Sequence, residues 1–66
     1  MKVKIKSMEG VKVIEVKEGA RVRDVVKLAG MSIEGVIVMK GNNVVLDEEV
    51  VKDGDELRII KIVSSG

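Results

Sequence analysis

Two acidic clusters, Asp47-Glu48-Glu49 and Asp53-Gly54-Asp55, are the densest groups of residues that could do chemistry in this chain. Three consecutive carboxylates point in different directions, so Asp47-Glu48-Glu49 reads as a solvated loop and not as a cation site. Asp53-Gly54-Asp55 reads as a tight turn. Lys2, Lys4 and Lys6 alternate with apolar residues and read as a solubilising outer face. Histidine and cysteine are absent, which removes disulfides, the usual zinc ligands and the common catalytic nucleophile and base. Nothing assembles a nucleophile, a base and an oxyanion site, so the chain is expected not to be an enzyme.

Composition narrows the class further. Of the 66 residues, 30 are apolar and 21 of those are Val or Ile, enough β-branched material to build a core. Phe, Tyr, Trp and Pro are all missing, and with the aromatics go the base-stacking platforms of single-strand nucleic-acid binders. Twelve basic against eleven acidic residues give a net charge of +1, too balanced for a protein held by phosphates. No run approaches the ~18 apolar residues of a membrane span. The chain is therefore expected to be cytoplasmic, with neither nucleic acid nor membrane as a partner. Plentiful Lys and Glu, with no Cys or Pro, are compatible with a thermophilic source.

The elements that would position these residues follow from periodicity. Val3 and Ile5 alternate with lysines, a strand with one buried face. Ser7-Met8-Glu9-Gly10 is a turn, and Val11 to Lys17 is a returning strand. Val11 and Val13 share one face of that strand while Ile14 and Val16 share the other, so one face must expose aliphatic surface. Val22, Val25, Val26 and Ala29 then repeat with helical spacing, which predicts a helix from about Arg21 to Ala29 with Gly30 as its C-cap. Its start offers no Ser, Thr, Asp or Asn cap near Ala20-Arg21. Val36 to Met39 is a strand, Lys40 to Asn43 a turn, and Val44 to Leu46 a short strand. Asp47 to Lys52 is a polar excursion around Val50 and Val51. The last strand runs from Leu57 to Val63, with Leu57 and Ile59 on one face and Arg58 and Ile60 on the other.

Strand, strand, helix, strand, short strand, strand is an α+β order that wraps a mixed sheet around one helix. It is the ββαββ β-grasp, or ubiquitin-like, roll, expected here as a single domain over residues 1–66 with 64–66 as a flexible tail. Three features resemble the ThiS/MoaD family of ubiquitin-like sulfur carrier proteins. Val36-Ile37-Val38-Met39, a Gly/Asn turn and Val44-Val45-Leu46 resemble one family segment. Val51-Lys52-Asp53-Gly54-Asp55-Glu56-Leu57 resembles the turn into the final strand, and the chain closes on Gly66 soon after that strand. The length is nearer the compact ThiS type.

What the resemblance implies is chemistry at the C-terminus. An E1-like adenylyltransferase would use ATP to adenylate the Gly66 carboxylate, which would then become a thiocarboxylate. A sulfur-accepting synthase, of thiamin thiazole or molybdopterin type, would receive the sulfur. The carrier itself would bind no cofactor or metal and would act as a monomer, although aliphatic edge strands can pair weakly. A free carboxylate is ionised at neutral pH and is a poor electrophile, whereas its mixed anhydride with AMP has a good leaving group. The family ends Gly-Gly, while the penultimate residue here is Ser65, preceded by Ser64. Two further readings therefore stand beside the carrier: a ubiquitin-like modifier conjugated through Gly66, and a β-grasp binding module without terminal chemistry. The expected docking residues are Arg58, Ile60 and Ile62 on the open sheet face, with Val11 or Val13 beside them.

Overall fold

The computed structural model describes residues 1–62. Strand β1 (Lys2–Ser7) turns tightly into β2 (Gly10–Glu15), and the two pair antiparallel from Lys2↔Glu15 to Ser7↔Gly10. Helix α1 (Val22–Leu28) follows, then β3 (Val36–Lys40), the three-residue β4 (Asn43–Val45) and β5 (Glu56–Lys61). The sheet order is β2-β1-β5-β3-β4, with β1 and β5 parallel at the centre and the other pairs antiparallel. This is the β-grasp roll, a mixed five-stranded sheet with one helix on one face. β5 lies in the middle of the sheet, held by β1 on one side and β3 on the other.

The core is aliphatic and lies between helix and sheet. Val22, Val25, Val26 and Ala29 face Val3 and Ile5 of β1, Leu57 and Ile59 of β5, and Val38 of β3, with Val16 and Val51 closing its ends. Valine is a mediocre helix former, so this packing, more than propensity, holds α1.

The segment from Asp47 to Lys52 does more than the polar excursion read from the sequence. Its backbone carbonyls at Glu49 and Asp47 accept the Val22 and Arg23 N–H groups at 2.9 and 3.0 Å, donors that a helix start leaves without partners. The Val51 N–H returns a bond to the Ala20 carbonyl at 2.9 Å, and Val51 itself is buried. Arg21 occupies the N-cap, and the Asp24 carboxylate accepts its N–H at 3.0 Å. A distant loop thus replaces the missing Ser/Thr/Asp/Asn cap.

Asp53-Gly54-Asp55 ties the last strand to the first. The Asp53 carboxylate accepts the Lys2 N–H at 2.8 Å, the Gly54 N–H donates to the Lys2 carbonyl, and the Lys4 N–H donates to the Asp55 carbonyl. Gly54 has φ of 84°, a conformation L side chains rarely adopt, which explains a glycine between the two acids. Asp55 Oδ2 accepts the Lys52 N–H at 2.7 Å, and Oδ1 pairs with Lys40 Nζ at 3.0 Å. Both carboxylates are used structurally, as latches on β1 and β3.

Candidate functional site

Alternation along β5 assigns its two faces. Leu57 and Ile59 are 1 % and 4 % exposed under the helix, whereas Arg58 and Ile60 point to the uncovered face. Ile62 lies just past the strand, its N–H bonded to the Gly35 carbonyl at 2.8 Å, and its side chain is 56 % exposed. The three residues expected to form a docking surface therefore stand along one line of the open face.

Their neighbours are not those expected. β3 pairs with β5 so that Met39 lies opposite Arg58 and Ile37 opposite Ile60, and β4 places Val44 opposite Met39. Leu46 alternates with Val44 and is equally exposed. Ile37, Met39, Val44, Leu46, Ile60 and Ile62 thus share the β5-β3-β4 half of the open face. Val11 and Val13 are exposed on the same face, but they pair with Lys6 and Lys4 of β1. A full strand of lysines separates them from β5, a distance of about 10 Å at normal strand spacing. The valines therefore belong to a separate surface. Sequence alternation found the face; only the pairing register could find the neighbours.

The rim of the aliphatic half is basic. Lys2, Lys4 and Lys6 line β1, and Arg58 makes no ion pair among the described residues. Lys6 Nζ lies 2.8 Å from Glu56, and that contact lowers the Glu56 pKa. At Asp55, partial burial alone would raise the pKa, but the Lys52 N–H and the Lys40 ammonium outweigh it and the net shift is downward.

Ser64, Ser65 and Gly66 lie outside the described residues, as does Val63. Among the described residues, no group of three or more acidic side chains could hold a metal ion. No helix there is long and apolar enough to cross a membrane.

No family model matches the chain. Several solved structures are similar to it, including two that cover the whole chain. The crystal structure of SAMP1 from Haloferax volcanii has a TM-score of 0.79 at 18 % identity, with all of both chains covered. The solution structure of the N-terminal ubiquitin-like domain in the 4931431F19Rik protein has a TM-score of 0.75 at 15 % identity, covering all of this chain and 78 % of that one. At these identities the likeness establishes the architecture: the chain has the ubiquitin-like β-grasp fold.

Proposed function

We propose that this protein is a sulfur carrier, acted upon by partner enzymes and carrying its chemistry on Gly66. An E1-like adenylyltransferase joins the Gly66 carboxylate to AMP from ATP, releasing pyrophosphate. A sulfur donor then displaces AMP at the carbonyl carbon, leaving a thiocarboxylate for a synthase of thiamin thiazole or molybdopterin type. Arg58, Ile60 and Ile62 hold the adenylating partner. The observation that carries this reading is the position of β5: the central strand ends beside an exposed aliphatic patch, with the reacting residue a few positions further on. A rigid body for docking and a short reach for delivery are what a carrier needs.

A modifier joined through Gly66 to a lysine shares the activation step and differs in the acceptor. The two-way, full-length likeness to SAMP1 favours it as the second reading. Ser65 in place of glycine is the feature a plain binding module would best explain. An intact-mass spectrum of the untagged protein from its own cells separates the three. Oxygen-to-sulfur exchange at Gly66 supports the carrier, and an isopeptide from Gly66 to a lysine supports the modifier. An unmodified protein that also stays inert to ATP and candidate adenylating enzymes overturns both.

A further inference from the structure

The sheet has two edges, and they are built differently. β4 offers three residues, whereas β2 offers six with no proline. Residues 1 and 16 exchange both backbone bonds, Val16 N–H to the Met1 carbonyl at 2.8 Å and the Met1 amine to the Val16 carbonyl at 2.9 Å. In an antiparallel ladder these exchanges recur at every second residue, so Ile14 and Lys12 also bond toward β1. Val11, Val13 and Glu15 then aim their N–H and C=O groups away from the sheet, at an edge with no neighbouring strand among the described residues. The side chains of Val11 and Val13 are exposed as well, Val13 by 59 %.

We propose that β2 pairs with β2 of a second copy, antiparallel about a two-fold axis at Val13. An axis perpendicular to the sheet always sets one residue opposite itself, and charge selects which one. Centred on Lys12, the pairing would oppose two lysines and set Glu9 against Glu15. Centred on Val13, it sets Val13 against Val13, Val11 against Glu15, and Lys12 against Ile14, with Glu9 facing Lys17. No like charges meet, and every outward-bonding residue meets another outward-bonding one. Centring on Ile14 would leave Val13 against Glu15 and give up the valine pair. The result is one continuous ten-stranded sheet whose β5-β3-β4 patches stay free on both copies. A single edge pairing covers less than the roughly 1,200 Å² of a durable interface, so the dimer is weak and forms as concentration rises.

Sedimentation of the full chain over a wide concentration range, combined with amide hydrogen exchange, tests this. Mass should climb from monomer toward dimer. Amides of Val11, Val13 and Glu15 should gain protection with concentration, while those of Lys12 and Ile14 stay as they are. V13K alone should raise the half-association concentration by about tenfold or more. V13E alone should do the same, and mixing the two should restore association, since only this register places residue 13 opposite itself. Position 13 is exposed, and an unchanged far-UV circular dichroism spectrum of each variant verifies folding. A monomer at every concentration overturns the proposal. So does protection that appears at Val44 instead, or a V13K and V13E mixture that fails to associate.

Discussion

The two faces of the sheet are made of nearly the same residues and have opposite fates. Under the helix lie Val3, Ile5, Val38, Leu57 and Ile59; on the open side lie Val11, Val13, Ile37, Val44 and Ile60. Side-chain type does not separate them, since Ile59 and Ile60 are chain neighbours at 4 % and 39 % exposure. Position relative to α1 separates them. The covered face supplies the stability, and the open face, free of that duty, is where recognition can be placed.

The largest expected effect lies on the covered face. Leu57→Ala should cost about 3 kcal/mol through lost burial and the cavity left behind. A domain of this size holds only about 3–10 kcal/mol in total, so the variant should lose roughly a third or more of its stability. Ile60→Ala, on the opposite face of the same strand, should cost under about 1 kcal/mol. With no aromatic residue to fluoresce, urea unfolding followed by far-UV circular dichroism is the suitable readout. Equal losses for the two variants would dissolve the distinction between the faces.

Next in size is the Asp55 latch, which ties the turn before β5 to Lys40 at the end of β3. Asp55→Ala removes the acceptor of the Lys52 N–H and the partner of Lys40, for about 1.5 kcal/mol. Its pKa in the folded state lies below the model-peptide value of 3.8, so the unfolded chain takes up the proton first. The contribution of Asp55 is therefore complete above that value and disappears as pH falls through the lower, folded one. Asp55→Asn should lack this portion of the acid-induced loss. Unfolding curves of the two proteins from neutral pH to about pH 2 should converge at the acid end; parallel curves would remove Asp55 from the account.

Asp53→Ala follows at about 1 kcal/mol, because it strips the acceptor from the Lys2 N–H but leaves the Gly54 and Lys4 backbone bonds in place. Amide exchange at Lys2 should accelerate selectively. Acceleration spread through β1 would mean that the turn, and not one bond, had been lost.

Both latches sit in a motif whose type, but not whose work, could be read from the chain. Alternation in Val3-Ile5 and Leu57-Ile59, the helical spacing of Val22, Val25, Val26 and Ala29, and the aliphatic runs between turns located the six elements to within two or so residues, because each signal is local. The expected end of the last strand at Val63 lies outside the described residues. β2 ends at Glu15, short of the expected Lys17; beyond it only Val16 still bonds across to Met1. The helix cap was not legible: it comes from backbone carbonyls at Asp47 and Glu49, and a carbonyl has no sequence signature. The neighbours of Ile60 were hidden for a related reason. Alternation says which residues share a face of one strand, while the pairing of β3 with β5 is a long-range choice.

The smallest effect is expected from the most conspicuous polar contact on the open face. Lys6 and Glu56 meet at 2.8 Å, and each side chain remains about half exposed to water. Solvent screening cancels most of the attraction, and two long side chains lose rotamer freedom in holding the geometry. Glu56→Gln should therefore leave the melting temperature unchanged in physiological salt, although Lys6 does lower the pKa of Glu56. The same variant should alter partner binding. It removes the acid nearest Arg58 along β5 and leaves Lys4, Lys6 and Arg58 as an uninterrupted basic border to the aliphatic patch. A partner with an acidic rim would then associate faster, an advantage that added salt should erase. A fall in melting temperature as large as that of Asp53→Ala would instead make the open face part of the stability of the fold, and the division between the two faces would have to be redrawn at β1.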